Sequence, residues 1–267
     1  KDVFCTLPAS KAVVKDSNND VTLPADLNVG VNLDVDGLTT TDGITNVGNF
    51  STDGGTIKLD GNLDANGNVA LGNTALDDGS LSGTLNTAVG SAALTSNTTG
   101  TNNVAIGFQS SCFNTTGNQN TAVGTYSSRD NTTGSNNTSL GFFALEANTT
   151  ASHNTAVGFC SLKSNTTGCF NVAVGSSSLI CNTEGSRNTA VGRQSLHCNT
   201  TGGFNTALGL DSMYENTTGS NNTAVGRSAM LCNTEGDCNT AVGEQALGKN
   251  TTGDTNVAVG TGSLRCN

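Results

Sequence analysis

Few residues of this 267-residue sequence have the types and spacing that catalysis requires. The two histidines, His153 and His197, do not recur with a Ser or Cys nucleophile and an acid partner, so no catalytic triad is indicated. Acidic residues after residue 86 are sparse and irregular, which argues against the paired carboxylates of a glycoside hydrolase. The sequence therefore predicts no catalytic residue, and we expect the protein not to be an enzyme.

Metal ligands are equally scarce. The nine cysteines match no zinc-binding spacing. The segment Asn62-x-Asp64-x-Asn66-Gly67 resembles the first half of a calcium loop, but Asn73 occupies the position at which such a loop has Glu. Turn formation accounts for this segment more simply. We therefore predict no metal site and no cofactor.

Most of the remaining residues are positioned by a repeat of 17 residues that occupies residues 86–267, the last copy being cut short. Each copy contains the box Asn-x-Ala-Val-Gly or a close variant of it. Counted from the box glycine as position 0, the unit reads Gly-x-x-(Ser/Ala)-Leu-x-x-Asn-Thr-Thr-Gly-x-x-Asn-Thr-Ala-Val. A fixed period this short predicts a stacked array in which no single copy folds alone. The box glycines are Gly90, Gly107, Gly124, Gly141, Gly158, Gly175, Gly192, Gly209, Gly226, Gly243 and Gly260.

Two glycines in each copy predict the shape of one rung. The box glycine occurs in every copy, which indicates a positive φ or a backbone contact too close for a side chain. A second glycine follows ten residues later and is replaced only once, by Ala151. Two turns, each preceded by a short extended segment, predict a flattened coil of about two strands that pair in parallel with neighbouring rungs at roughly 4.8 Å. We therefore expect an all-β protein, a parallel β-roll (β-solenoid) of 17-residue rungs.

Two asparagines recur in every copy, at positions −4 and +7. Stacked in register, their amides can bond to the same residue one rung above and below, which predicts amide ladders. N-linked glycosylation is the alternative, because several copies read Asn-Thr-Thr. Asn182 and Asn233 are followed by Thr-Glu, so the repeat keeps the amide where it loses the glycosylation sequon. The predicted ladder residues are Asn97, Asn114, Asn131, Asn103, Asn120 and Asn171, with the box glycines Gly107, Gly124 and Gly175.

Large apolar residues recur at only two positions of the unit. One is position −1, as in Val89 and Ile106; the other is position +4, which is Leu or Met in most copies but Ser111 and Ser128 in two. One such pair per rung is a slim core for an isolated coil. We expect three copies of the chain to assemble around a threefold axis, one apolar set filling each coil and the other filling the axis.

The first 85 residues follow a different pattern. Val13-Val14 and Val21-Thr22-Leu23 could be short strands, and apolar and polar residues alternate from Leu27 to Val35 and again from Ile57 to Leu71. These alternating runs predict an intertwined β shaft in which three chains pool their apolar faces. The predicted regions are a shaft or attachment region at 1–67, a transition with a degenerate rung at 68–85, and eleven β-roll repeats at 86–267.

Two cysteine pairs are candidates for disulfides. Cys181 and Cys198 share position +6 on adjacent rungs, within disulfide range although with parallel Cβ directions, and Cys232 and Cys238 flank a turn. The alternative is that scattered cysteines are small buried fillers of the repeat. Free thiols would suit assembly in a reducing compartment.

Positions +1, +2 and +5 vary in chemistry from rung to rung. If these side chains face outward, they form a binding surface; alternatively, some of the Phe residues at these positions pack between chains. The candidate surface-binding residues are Tyr126, Arg129, Arg193, His197, Tyr214 and Arg227.

Charge and hydropathy exclude two kinds of partner. The net charge is −10 and the sequence has no basic stripe, so we expect no binding to nucleic acid. No apolar run is long enough to span a bilayer, so we expect no membrane insertion.

The box resembles the head repeats of trimeric autotransporter adhesins, the YadA-like family, whose motif is Asn-Ser-Val-Ala-Ile-Gly. The most similar copies are residues 103–107, Asn-Val-Ala-Ile-Gly, and residues 171–175, Asn-Val-Ala-Val-Gly. The longer unit is similar to repeats of phage tail-fibre and giant-virus fibre proteins. The resemblance covers about two thirds of the chain and implies left-handed parallel β-rolls, three of which pack into a trimer that serves adhesion. The 17-residue rung is longer than the family's usual unit, and no membrane anchor or coiled-coil stalk is visible.

These observations predict a structural and adhesive homotrimeric fibre protein on a virion, which engages a host-surface receptor or glycan. Its expected location is extracellular or on the virion surface. Two alternatives stay open: a bacterial trimeric autotransporter adhesin head, and a monomeric β-solenoid whose Thr ladders bind ice or polysaccharide. The number of cysteines favours the viral fibre, because an exported bacterial adhesin would usually avoid so many.

Overall fold

The computed structural model describes residues 66–266 together with two short segments, 14–15 and 21–22. The chain divides into two units, residues 1–58 and 59–267. In the first unit, β1 (Val14–Lys15) and β2 (Val21–Thr22) pair antiparallel. β2 matches its predicted strand except for Leu23, whereas β1 begins one residue later than the predicted Val13-Val14. The alternating run from Leu27 to Val35, and the part of the second run before residue 66, lie outside the described residues.

Residues 66–266 form a parallel β-solenoid, which confirms the predicted all-β class and 17-residue rung; no helix occurs in this range. Twelve three-residue strands join in chain order into one sheet. Ala88 pairs with Ala105 and Ala105 with Ala122, so each step of the register is one repeat. The strands are β3 (Val69–Leu71), β4 (Thr87–Val89), β5 (Val104–Ile106), β6 (Thr121–Val123), β7 (Thr138–Leu140), β8 (Thr155–Val157), β9 (Val172–Val174), β10 (Thr189–Val191), β11 (Thr206–Leu208), β12 (Thr223–Val225), β13 (Thr240–Val242) and β14 (Val257–Val259).

The first strand of this sheet comes from the imperfect copy of the repeat. Val69, Ala70 and Leu71 of β3 pair in parallel with Thr87, Ala88 and Val89 of β4, an offset of 18 residues instead of 17. The extra residue is therefore accommodated between the strands, and the pairing register is kept.

The prediction of about two strands per rung is wrong for residues 66–266, where each rung has one. The rest of the rung turns because three of its non-glycine residues, at positions +2, +4 and +12, have left-handed φ values; in one rung these are Gln194, Leu196 and Phe204, at 55°, 51° and 59°. The Gln194 N–H donates to the Ser176 carbonyl of one neighbouring rung (3.0 Å), and the Leu196 N–H to the Ser212 carbonyl of the other (2.9 Å). Hydrogen bonds between rungs therefore continue through the turns without a second strand.

The interior of the coil is filled by Ala at position −2 and by Leu or Met at position +4. Leu145 and Met213, for example, are completely buried. Ser111 and Ser128 replace the Leu in two rungs, and Ser128 Oγ lies 2.8 Å from Ser139 Oγ, so a hydrogen-bonded polar layer replaces the apolar one. The apolar core is therefore divided into two clusters, one on each side of these rungs.

The box glycines from Gly90 to Gly243 are required for both reasons given by the sequence, and Gly260 for its φ alone. Their φ values lie between 114° and 139°, a range that L side chains rarely adopt. A Cβ on Gly175 would also lie 2.6 Å from the carbonyl carbon of Gly192 in the next rung. No other residue fits at this position without displacing the neighbouring rung.

Candidate functional site

The asparagines at position +7 form a continuous side-chain ladder inside the coil. Asn114 Nδ2 donates to Asn97 Oδ1 of the preceding rung (2.9 Å) and to the Gly117 carbonyl of its own rung (3.1 Å). Asn131 Nδ2 in turn donates to Asn114 Oδ1 (2.8 Å). The bond recurs in each following rung up to Asn250. Every rung is thus tied to the one before it by a buried amide.

The asparagines at position −4 join the rungs differently, mainly through the backbone. The Asn120 N–H donates to Asn103 Oδ1 of the preceding rung (2.9 Å), and Asn120 Nδ2 donates to the Gly134 carbonyl of its own rung (2.8 Å). Asn171 makes the same two bonds. This column therefore acts as a repeated turn cap more than as an amide-to-amide ladder.

Both asparagine columns meet at the second glycine of each rung. The Gly117 carbonyl accepts from Asn103 Nδ2 (2.8 Å) and from Asn114 Nδ2 (3.1 Å). Both side chains are at most 1% exposed. Their amide hydrogens are used in hydrogen bonds inside the coil, so the folded rung has no room for a sugar on either residue.

The outer surface of the sheet, which we call the sheet face, carries positions −3 and −1. Position −1 is Val, Ile or Leu in all eleven repeats, and Ile106, Leu140 and Leu208 are 40%, 47% and 47% exposed. Position −3 is Thr or Val in every repeat. The two apolar sets of the sequence are therefore separated in space: position +4 fills the coil, and position −1 forms an uncharged row along its outside.

An aromatic cluster stands beside the sheet face on the rungs of Gly107 to Gly158. Tyr126 stacks on Phe143 with ring centroids 5.0 Å apart, and Phe142 stacks on Phe159 at 5.8 Å. The rings of Phe142 and Phe159 are about half exposed. Arg129 lies over Tyr126, with Cζ 5.5 Å from the ring centroid. The cluster is the largest group of exposed rings among residues 66–266.

The charge of Arg129 is compensated by its neighbours. Its guanidinium pairs with Asp130 (2.7 Å) and with Glu146 of the next rung (2.8 Å), and Lys163 lies 3.6 Å from the same Glu146 carboxylate. Hydrogen bonding to Asp130 raises the pKa of Arg129 further. This side chain is therefore a structural link between rungs and a weak candidate for binding an anion.

The other predicted surface residues lie on more distant rungs. Arg193 and Arg227 are exposed, and Arg227 pairs with Glu244 of the next rung. His197 is half-buried and stacks on Tyr214 at 4.7 Å; burial lowers the pKa of His197, with the Asp211 carboxylate acting in the opposite direction. The six predicted residues are thus spread over several rungs and do not form a single pocket.

Sequence reasoning missed an exposed column at position +12, which we call the corner column. Within it, His153 stacks on Phe170 with centroids 4.8 Å apart, and the Arg187 guanidinium lies between the rings of Phe170 (5.8 Å) and Phe204 (5.1 Å). Residue identity at this position changes from rung to rung, so no motif marks it. The detectable signal is its constant place immediately before the −4 asparagine.

The eight cysteines of the described residues are all free thiols, so neither candidate disulfide is formed in this structure. Burial raises the pKa of Cys181 and of Cys198, which favours the unreactive thiol form. Cys238 is exposed, whereas Cys232 is half-buried and its pKa is also raised by burial. The two members of that pair face different environments.

Two further features bear on the type of protein. Residues 66–266 contain no group of three or more His, Cys, Asp or Glu side chains arranged to hold a metal ion. In the described part of the chain there is also no helix with the length and hydropathy needed to cross a bilayer. The fold thus defines a parallel β-solenoid repeat protein. No protein-family model matches the chain, and no curated protein or solved structure matches it either.

Proposed function

We propose that this protein is a segment of a homotrimeric fibre with a structural and adhesive function, carried on a virion and directed at a host surface. The sheet face is the observation that carries the proposal. Its position −1 column is an uncharged row of Val, Ile and Leu that follows the whole length of the array, and soluble monomers rarely expose a continuous apolar strip of that length.

The geometry of the row suits a second and third copy of the same chain. Because every rung repeats the same register, position −1 residues form one continuous row with a spacing of roughly 4.8 Å. Identical rows can pack along a common axis without a mismatch in spacing. Threefold symmetry is expected from the slim core and from the family resemblance, the β shaft in residues 1–67 from the alternating runs, and the left-handed coil from the resemblance alone; all three belong to the proposal.

Adhesion is assigned to the exposed side chains that vary between rungs. The aromatic cluster and the corner column offer rings and cations at the surface, while the two asparagine columns and the core repeat with little change. The array acts as a rigid support, and the variable columns present recognition groups. A host-surface glycan or receptor is the proposed partner, and a bacterial adhesin head of the same fold is the corresponding alternative.

The sheet face also supports a second candidate function. Position −3 is Thr in eight of eleven repeats, with Val at the other three. A Thr row beside an aliphatic row, both with the spacing of the rungs, is a regular surface suited to ordering water or to lying along a polysaccharide. This alternative requires the sheet face to stay exposed, so it predicts a monomer.

A pair of matched variants separates the two functions. Leu140→Glu with Leu208→Glu places two charges in the proposed trimer interface, and we expect a monomer by light scattering because a carboxylate buried there has no partner. The control is Thr116→Glu with Thr218→Glu, at position +9, where Glu184 and Glu235 already stand in other rungs. The control should keep the wild-type mass. Equal masses for all three proteins would overturn the role of the sheet face.

A further inference from the structure

The glycosylation sequons of the array fall into two groups, one with a buried asparagine and one with an exposed asparagine. Residues 66–266 contain eleven Asn-x-Ser/Thr sequences. In nine of them, which we call the closed sequons, the asparagine belongs to one of the two buried columns and is at most 2% exposed. In the other two, which we call the open sequons, the asparagine is Asn136 or Asn221 and lies in the exposed corner column.

The nine closed sequons cannot carry a sugar in the folded rung. Asn165 is representative: its Nδ2 donates to Asn148 Oδ1 (3.1 Å) and to the Gly168 carbonyl (2.9 Å), which uses both amide hydrogens. N-glycosylation joins Nδ2 to the anomeric carbon of a sugar on a lipid pyrophosphate. The bond from that carbon to the pyrophosphate oxygen breaks, and one amide proton is lost. The product would lack a ladder donor and would place a sugar inside the coil.

The two open sequons differ in each of these respects. The side-chain amides of Asn136 and Asn221 make no hydrogen bond within residues 66–266. Asn136 adjoins His153 in the corner column, and Asn221 adjoins Phe204, so the two sites bracket the His153–Phe204 stack. Phe170 covers one ring face of His153 and Arg187 covers one ring face of Phe204, which leaves the opposite faces available for packing against the apolar face of a sugar.

We propose that the folded array tolerates N-linked sugar at Asn136 and Asn221 alone, and that the chain therefore folds in a compartment where the nine closed sequons escape the transferase. An Asn-x-Ser/Thr transferase that acts on nascent chains meets all eleven sequons before the rungs exist, so folding in its presence fails. The free thiols of the array suit the same kind of compartment, one that is reducing.

The test sends the full chain through the secretory route of a eukaryotic cell behind a cleavable signal, and in parallel expresses it in the cytosol. Ser51→Ala is included throughout, because it silences the Asn49 sequon outside the described residues. We expect the cytosolic chain to be protease-resistant and the secreted chain to carry sugar on closed sequons and to be protease-sensitive. An inhibitor of lipid-linked sugar synthesis should restore resistance on the secretory route, which separates the effect of sugar from that of disulfide formation.

A closed-sequon variant makes the test sharper. Thr→Ala at position +9 removes eight of the closed sequons without touching the asparagine, and Ser139→Ala removes the ninth by restoring the Ala of the other rungs. On the secretory route we expect this variant to fold and to carry two glycans, at Asn136 and Asn221. Adding Thr138→Val and Thr223→Val, with the Val that other rungs have at position −3, should reduce that number to zero.

Two results would overturn the proposal. One is a protease-resistant chain, with Ser51→Ala as its only change, that carries sugar on a position +7 asparagine. The other is a closed-sequon variant that folds in the cytosol but is protease-sensitive when glycosylated only at Asn136 and Asn221. Should that variant fail to fold even in the cytosol, the inhibitor experiment on the chain whose only change is Ser51→Ala decides alone, because it changes no residue of the array.

Discussion

At the scale of single residues, the array depends on side chains whose donors and acceptors are all used. Asn165 donates to Asn148 and Gly168 and accepts from Asn182 Nδ2 at 2.8 Å. Substitution of such a residue lowers the unfolding free energy, because each lost hydrogen bond leaves a buried partner unsatisfied. Exposed asparagines of the corner column have no comparable role.

The first prediction compares these two kinds of asparagine. Asn165→Asp replaces two buried donors by a carboxylate oxygen that faces two acceptors, so we expect a loss of about 3–5 kcal/mol in unfolding free energy. Asn221→Asp makes the same chemical change at the surface and should alter stability by less than about 0.5 kcal/mol. Denaturant unfolding of both variants measures the difference. Equal effects would show that the ladder contributes nothing specific.

The two glycine positions differ in how much they tolerate a side chain. Gly175→Ala imposes both an unfavourable φ of 137° and a collision with Gly192, and should cost roughly 2–6 kcal/mol. Gly185→Ala meets crowding only, at the position where Ala151 already stands, and should cost about 1–3 kcal/mol. Gly79→Ala, with open space around it, is the neutral control. Thermal melts should rank the three in this order; the reverse order for the first two would be inconsistent with the structure.

His197 gives the array a pH dependence with a definite sign. Burial lowers the pKa of His197 in the folded chain, so the unfolded chain binds a proton at a higher pH than the folded one. The corresponding stability is complete above the unfolded pKa of about 6.5 and is lost as the pH falls through the lower folded pKa. We expect melting temperatures to fall over this range, and the fall to be smaller in His197→Gln. A pH profile unchanged by this substitution would contradict the assignment.

At the scale of elements, each rung is one three-residue strand plus a turn, and stability comes from stacking. The core column shows where stacking is weakest. Ser111 and Ser128 interrupt the Leu column, and the apolar clusters end on either side of them. Backbone conformation does not change there: φ is 47° and 48° at the two serines and 51° at Leu179.

Restoring the repeat residue should therefore strengthen the array. We expect Ser111→Leu with Ser128→Leu to raise the melting temperature, because each Leu adds about 1.5–3 kcal/mol of apolar burial in an unchanged backbone. Leu179→Ser is the reciprocal change and should cost about 2–5 kcal/mol by leaving a cavity. Calorimetry on both variants tests this. A lower melting temperature for the double variant would mean that the serine cluster is itself the better-packed arrangement.

The elements also show what could be predicted from sequence. The box spacing determined the strand positions and the register, because a 17-residue offset allows only one parallel pairing of identical boxes. The single strand per rung was missed, because Leu at position +4 and Phe at position +12 do not indicate a left-handed φ. The corner column was missed for a related reason: a position that tolerates Asn, His, Phe, Arg and Cys has no sequence signature, although its backbone is constant.

Only part of the candidate site could be predicted, because exposure follows from the repeat register and contacts between rungs do not. The position of a side chain relative to the surface follows from the register, so exposed Arg193 and Arg227 could be placed. Pairing between rungs depends on which residues happen to be neighbours in a column, as for Arg129 with Glu146. Such contacts can be read from a sequence only after the coil geometry is known.

At the scale of the whole molecule, the central question is what covers the sheet face. The array has one apolar row inside the coil and one outside it. This arrangement is expected if the outer rows of three chains pack against one another. If the outer row instead stays exposed, the protein is a monomer and the row is part of a binding surface. The trimeric fibre and the monomeric solenoid differ in the number of chains.

The most direct test is therefore the mass of the wild-type protein by sedimentation equilibrium, measured over a range of concentrations at physiological ionic strength. The account predicts a mass near three chains, about 80 kDa from the 26.8 kDa chain, that persists on dilution. A mass of one chain, 26.8 kDa, at every concentration would contradict it and would favour the monomeric solenoid with an exposed Thr row.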